Sequence, residues 1–239
     1  MKLSLCIPTM DRWDFLKVNL PKYLENPYID EIVICDENGN DVKRICEIFD
    51  NSKIRTFVND RCLGAFFNKR KVVSLAKNPI ICLMDSDNYA PLTYFHAFFK
   101  YLETNPWEDN IVYMPAKTIP QKNHSGFNYY HFAFLDITAK DAYRIVKEDQ
   151  PFMNGGNFIV SKSLYEKAAL LPEEERLGNE CKALDVLLQN YLFFKRCPNT
   201  IMRVVPSMEY EHIVHSGSYY KLTEGTIDSQ KIISLFSRL

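Results

Sequence analysis

Ile80-Ile81-Cys82-Leu83-Met84 runs directly into Asp85-Ser86-Asp87-Asn88, five apolar residues followed by two carboxylates one residue apart. A continuous apolar run of this length reads as a β-strand buried on both faces, as parallel sheets require, rather than as the alternating strand of a half-solvated sheet. The same punctuation recurs upstream. Leu3 to Ile7 is an apolar run stopped by Pro8, Ile32 to Cys35 ends at Asp36-Glu37-Asn38-Gly39, and Ile54 to Val58 forms a third strand. Between these runs Trp13, Leu16, Leu20, Tyr23 and Leu24 repeat at helical spacing, as do Val42, Ile45, Cys46 and Phe49, and Ala65 to Ala76 is a further helix. Strand and helix alternating four times with short connections imply a parallel sheet with right-handed crossovers.

Beyond Asp87 the pattern loosens. Helices are expected over Pro91 to Leu102, Ala139 to Val146, Ser161 to Ala169, Ala183 to Phe194 and near Ile227 to Phe236. Strands are expected over Ile111 to Met114, Phe158 to Val160 and Ile201 to Val205, with Phe127 to Leu135 a polar-aromatic strand or loop and Pro206 to Tyr220 a loop. No internal repeat or linker interrupts the chain. The reading is therefore one α/β domain over 1–239, a Rossmann-like, mostly parallel central sheet flanked by helices, with a regular first half and a mixed second half.

Composition excludes several classes. The 239 residues are 46% hydrophobic and 25% charged, with 29 Lys+Arg against 30 Asp+Glu, so no global charge favours nucleic acid or an anionic membrane surface. Only 8 Gly occur and no apolar stretch approaches the length of a membrane span or a secretory signal core. Seven Cys without a close CxxC pair argue against a disulfide framework or a zinc site, and fit a reducing, cytoplasmic setting.

In open parallel sheets, ligands bind outside the carboxyl ends of the strands. Pro8-Thr9, Asp36 with Glu37, and Asp85 with Asp87 therefore share one edge. Paired carboxylates on a turn leaving a buried strand suit a hard divalent cation, Mg²⁺ or Mn²⁺, through oxygen donors. Taken alone, Asp85-Ser86-Asp87-Asn88 is equally the composition of a solvated turn capping the next helix; its place beside Asp36 at a common edge favours the site.

The order LSLCIPTMDR (3–12), EIVICDENGN (31–40), LGAFFNKRKVVSLAKN (63–78) and PIICLMDSDN (79–88) resembles the nucleotide-binding half of GT-A fold glycosyltransferases, especially the family-2 group. The resemblance covers about residues 1 to 105 well and the remainder more loosely, making 1–105 the nucleotide-binding half and 106–239 the acceptor-binding half. It implies that Pro8, Thr9, Arg12, Asp36, Asp85, Ser86 and Asp87 line a nucleotide-sugar site. The family's acidic pair followed by Gly-Ser is here Asp36-Glu37-Asn38-Gly39, leaving open which carboxylate meets the nucleoside. Its Arg-Asn pair is here Lys69-Arg70, or Asn68-Lys69 if shifted, and contact with the base or diphosphate is implied, with Arg70 favoured. Where the family carries Glu-Asp as its general base, this chain has Leu184-Asp185.

Asp185 is the expected base and Glu180 its competitor; a carboxylate at a helix start is also explained by the helix dipole alone. The Gly-rich segment Asn154-Gly155-Gly156-Asn157 resembles the family's sugar-pocket lining, and Gly155 and Gly156 allow unusual backbone angles or close approach of a ligand. A His from a C-terminal loop completes the metal shell in many such enzymes, which here means His215, with His212 the alternative, joining Asp85 and Asp87. Tyr219, Tyr220 and Lys221 are placed to close over the donor phosphates. Phe127, Tyr129, Tyr130, Phe132 and Phe134 form either an acceptor wall or core.

The activity these residues imply is inverting transfer of a sugar from a nucleoside diphosphate, expected to be UDP, to a hydroxyl of a glycan or other acceptor, with Mn²⁺ or Mg²⁺. A sugar-1-phosphate nucleotidyltransferase would place a Gly-rich phosphate loop soon after the first strand, and Pro8-Thr9-Met10-Asp11-Arg12 has no Gly. A non-catalytic nucleotide-sugar or carbohydrate-binding module would keep the pocket without needing Asp185.

Overall fold

The structure, a computed structural model, describes residues 1–120, 126–223 and 229–239. The first half follows the expected alternation: β1 (Leu3–Thr9), α1 (Trp13–Leu24), β2 (Glu31–Asp36), α2 (Asn40–Ile48), β3 (Ile54–Val58), α3 (Ala65–Leu75), β4 (Ile80–Leu83) and α4 (Leu92–Leu102). The second half contributes β5 (Ile111–Ile119), β6 (Asp136–Ile137), α5 (Ala139–Glu148), α6 (Gln150–Met153), β7 (Ile159–Ser161), α7 (Lys162–Lys167), α8 (Glu175–Glu180), α9 (Asp185–Arg196), β8 (Ile201–Glu211), α10 (Tyr219–Thr223) and α11 (Ser229–Phe236). The start expected for the last helix, Ile227, lies outside the described residues.

All these strands join one sheet in the order β3-β2-β1-β4-β7-β5-β8-β6. The pairs β3–β2, β2–β1, β1–β4 and β5–β8 are parallel, whereas β7 runs antiparallel between β4 and β5, and β6 antiparallel to β8. Helices cover both faces, which is why the strands read as unbroken apolar runs. Leu3, Leu5, Ile7, Ile32, Ile34, Ile80 and Cys82 face one core with Leu16 and Leu20 of α1 and Phe95 and Phe98 of α4. The alternate residues Cys6, Val33, Cys35, Ile81 and Leu83 face the other, with Val72 and Val73 of α3 and Leu187, Leu188 and Leu192 of α9.

Two departures from the sequence reading involve proline. β1 continues through Pro8 to Thr9, because β1–β4 pairing ends at Cys6 and a residue two positions on presents its backbone to that vacated side; the missing N–H costs no ladder bond. β8 continues through Pro206 to Glu211, where a loop was expected. Its neighbour β6 pairs only with Met202 and Arg203, so the strand is an edge there, and Ser207 at φ 64° accompanies a register shift between Pro115 and Lys117 of β5. The extension buries Met208 and Tyr210 and bridges Glu211 to Tyr89 in both directions, at 2.8 and 3.1 Å. The segment expected as polar-aromatic strand or loop becomes a bridge at Asn128 and a 3₁₀ turn over Tyr130–Phe132.

Candidate functional site

The carboxyl ends of β1, β2 and β4 meet at one edge, and the loops leaving them are knitted together before any ligand is considered. Thr9 Oγ1 donates to Asp41 Oδ2 at 2.6 Å, and the Arg12 N–H donates to the same carboxylate at 2.9 and 3.0 Å. Asp11 accepts from the side-chain amides of Asn38 (3.0 Å) and Asn40 (2.8 Å), which pull its carboxyl below the usual range. These bonds tie the first two loops together through Thr9 and Arg12, with Pro8 buried at the end of β1.

Around the Asp85-Ser86-Asp87 turn the side chains are strongly charged and mostly enclosed. Lys69, projecting from α3, lies 2.8 Å from Asp85 Oδ1 and 2.7 Å from Asp185 Oδ2, so one ammonium bridges the turn after β4 and the first residue of α9. Burial alone would push this lysine down, but Asp185 and Asp85 outweigh it and hold the ammonium above the ordinary lysine range. Burial pushes the Asp185 carboxyl up, with Lys69 opposing. Asp87 lies 3.2 Å from His215 Nε2 and 3.8 Å from Arg12 Nε. Its carboxyl is pushed up by burial and then by neighbouring Asp85, while His215 and Arg12 pull it back. Both carboxylates of the turn thus have cationic or imidazole partners that their sequence neighbourhood does not show.

The loop after β8 closes this edge from above. The Gly217 N–H donates to His215 Nδ1 at 3.2 Å, which leaves Nε2 to carry the proton of the neutral ring toward Asp87. Arg12 Nη2 donates to the Gly217 carbonyl at 2.7 Å, and Asn88 Oδ1 accepts from the Ile213 N–H at 3.0 Å. His212, three residues before His215, packs instead against Phe127 and Tyr210. Tyr219 opens α10 and lines a cavity of about 140 Å³ with Cys62, Gly64, Phe66, Asn179 and Lys182. Lys221 of the same helix is exposed, and the side chain of Tyr220 lies outside the described ones.

The Asn154–Asn157 segment reaches the site because β7 inserts next to β4. Asn157, at φ 59°, accepts the Asp85 N–H on Oδ1 at 2.9 Å, while its carbonyl accepts the Tyr94 hydroxyl. Asn154 Oδ1 accepts the Leu187 N–H at 2.9 Å and so anchors the start of α9. Gly155 and Gly156 do not use a left-handed backbone. A Cβ on Gly155 would stand 2.7 Å from the Phe152 carbonyl, so close packing demands glycine there, while one on Gly156 would stand 3.3 Å from Val186, whose side chain would have to give by a few tenths of an ångström. Asn157 and Asn88 were not singled out from sequence; the positive φ that asparagine tolerates was the available signal for the first.

Four residues lie elsewhere. Arg70 turns away from the edge: its guanidinium donates to the carbonyls of Tyr165 (3.3 Å), Glu166 (3.2 Å) and Ala168 (2.9 Å) and to Gln189 Oε1 (3.1 Å), capping the end of α7. Asp36 is fully buried, and its oxygens accept the backbone N–H groups of Asn38 (3.2 Å), Asp41 (2.9 Å) and Val42 (3.0 Å). It holds the β2–α2 turn and does not face the open edge. Glu37 likewise accepts from Leu63 N at 2.7 Å and Asn59 Nδ2 at 3.1 Å. Glu180 sits on the surface in ion pairs with Arg176 and Lys231, away from the carboxylate cluster. The aromatic group splits: Tyr129 and Phe132 are core, Phe127 packs against it, and Tyr130 and Phe134 are exposed.

This sheet order, with a charged turn after the fourth strand, defines the GT-A class of fold. The chain superposes on S. aureus TarS 1-349 in complex with UDP-GlcNAc with a TM-score of 0.65 at 12% identity, covering 100% of this chain and 66% of that one. It superposes on GalNAc-T7 with UDP, GalNAc and Mn²⁺ with a TM-score of 0.59 at 14% identity, covering 90% of this chain and 43% of that one. The chain thus spans less than two thirds of the length of either structure. No curated protein matches it by sequence. The Glycosyl transferase family 2 model matches residues 4–168, and the chain belongs to that family.

Proposed function

We propose that the protein is an inverting glycosyltransferase, taking a sugar from a nucleoside diphosphate, UDP in our reading, and placing it on a hydroxyl of a glycan or other acceptor. The observation that carries this reading is the placement of the buried Asp185 on the same strand edge as the Asp85-Ser86-Asp87 turn, linked to it through Lys69. Family membership supports sugar transfer, and the UDP complexes of the structural neighbours support the choice of nucleotide. Donor binding falls to Pro8, Thr9, Arg12, Asp85, Ser86, Asp87, Gly155 and Gly156, with Lys69 paired to Asp85 behind them, in the half spanning 1–105 together with the β7 approach; 106–239 supplies the acceptor side of one domain.

In this mechanism Asp185 takes the proton of the acceptor hydroxyl, whose oxygen forms a bond to the anomeric carbon as the bond to the diphosphate breaks and its electron pair leaves with the diphosphate. A carboxyl pushed up by burial is more basic than an exposed one, which suits that role. A cation at the edge offsets the charge of the departing group, and Arg12 already supplies one. Among the described residues no three His, Cys, Asp or Glu side chains are grouped closely enough to hold a metal ion as they stand: Asp87 and His215 adjoin one another, while Asp85 Oδ1 pairs with Lys69 and Asp85 Oδ2 faces the Asn88 amide at 3.4 Å. Mn²⁺ or Mg²⁺ held by Asp85, Asp87 and His215 would neutralise diphosphate charge, and His215 would join through Nε2 only with its proton moved to Nδ1 and the Gly217 N–H contact given up. Among the described residues no helix is long and apolar enough to cross a membrane, and the seven free cysteines suit a cytoplasmic protein.

The test is UDP release from a panel of UDP-sugars. Asp185→Asn should bind UDP as the parent does yet turn over at least about 10²-fold more slowly, whereas Glu180→Gln should behave as the parent. Full turnover by Asp185→Asn would remove the base from this position.

A further inference from the structure

The bridging lysine has a more specific task than donor contact. Lys69, Asp85 and Asp185 come from three separate elements, α3, the turn after β4 and the start of α9, and meet on the sheet face that α3 and α9 cover. The lysine side chain is 11% exposed and that of Asp185 7%, so neither charge is solvated in place of the other. Arg70, its neighbour in sequence, is fully occupied with α7 and Gln189 and cannot substitute. Among the described ion pairs, Asp185 has Lys69 as its cationic partner, and Lys69 has two anions to satisfy.

We propose that Lys69 is a positioning residue, whose ammonium holds the proton-accepting carboxylate of Asp185 at a fixed distance from the donor-binding turn at Asp85. This rests on Asp185 being the base. A single side chain spanning both carboxylates sets the spacing between the group that activates the acceptor and the turn that receives the donor, and transfer depends on that spacing because a misplacement of about 1 Å can cost about 10²-fold in rate. A buried pair of this kind adds little net stability, while removing one partner strands the other, so the geometry is not explained by stability alone.

The test compares the parent, Lys69→Met, Lys69→Arg, Asp185→Asn and the double variant Lys69→Met/Asp185→Asn. It measures UDP affinity by titration calorimetry and UDP release, with water as acceptor, across a panel of UDP-sugars. Lys69→Met should lower kcat by about 10²-fold with donor KM and UDP affinity changed less than about threefold, and the double variant should be no slower than Asp185→Asn, since residues acting as a unit are non-additive. Lys69→Arg keeps the charge in a wider fork and should fall about tenfold in kcat at unchanged donor KM, giving the same reading if the Met variant does not fold. A rise of tenfold or more in donor KM, or a further tenfold loss of kcat when Lys69→Met is added to Asp185→Asn, would make Lys69 a donor ligand and overturn the proposal. Parent-like turnover by Asp185→Asn, or none by the parent, refutes the functional reading beneath it.

Discussion

Replacing Asp36 by Asn removes one charge and one acceptor oxygen from a carboxylate that receives three backbone N–H groups. The helix it serves, α2, is preceded by Gly39, which has no side chain to cap it, so Asp41 N and Val42 N depend on Asp36 Oδ2 at 2.9 and 3.0 Å. In the variant the amide oxygen keeps those two contacts only by turning its NH₂ toward the Asn38 N–H, donor against donor, where Oδ1 formerly accepted at 3.2 Å. One charge-assisted bond is lost and two become neutral, and a negative charge leaves the helix N-terminus; together these should cost about 2–3 kcal/mol. For a chain of this size that corresponds to a Tm lowered by about 4–12 °C, with an unchanged urea m-value. Thermal melting followed by circular dichroism measures the first quantity, and UDP titration at a temperature where both proteins are folded measures whether the site is touched. UDP affinity should stay within about threefold. A variant that melts within 1 °C of the parent while binding UDP about tenfold more weakly would show that the carboxylate faces a ligand, and the capping argument would be wrong.

Three further outcomes follow from the same contacts. Arg70→Met should lower stability by about 2–3 kcal/mol, because three carbonyls at the end of α7 and the Gln189 amide lose their donor, and should leave UDP affinity unchanged; weakened UDP binding in a stable variant would return Arg70 to the donor site. Asp87→Ala should abolish any gain in UDP affinity on adding Mn²⁺, measured by titration with and without the ion, and an undiminished gain would place the cation elsewhere. For Glu31, burial favours the neutral acid, but the Lys77 N–H (2.9 Å), the Ser4 hydroxyl (2.5 Å) and Arg55 (2.5 Å) together hold its carboxyl below the ordinary value of 4.5. Its stabilising contribution is therefore complete above the unfolded value and is lost as pH falls through the lower folded value. Urea unfolding between pH 7 and pH 3 should show a shallower acid loss in Glu31→Gln than in the parent, from a lower starting stability; parallel curves would remove Glu31 from the acid response.

The first four strands and their helices were legible because burial on both faces leaves a simple trace, unbroken apolar runs cut by polar turns, and because the ends of parallel strands must converge. Asp85 and Asp87 could be placed at an edge on that ground alone. The second half carried no such trace. β7 has three residues and β6 two, too short to impose a period, and the continuation of β8 past Pro206 depends on β6 ending early, a fact about a neighbour that local sequence does not contain.

Within the site the same division holds. The residue types were readable, but their directions were not. Lys69 and Arg70 are adjacent on α3, and one turn of about 100° between them sends the first to the carboxylates and the second to α7. Asp36 and Asp85 both follow buried strands, yet the first is enclosed by the turn it caps while the second remains at the open edge. Sequence alone determined the alternation of elements, the shared edge and the supply of charged groups, since these follow from periodicity and strand polarity. Only the tertiary structure decided which carboxylate pairs with which cation, because contacts between residues over a hundred positions apart, such as Lys69 with Asp185 and Asp87 with His215, depend on how α9 and the loop after β8 pack against the sheet.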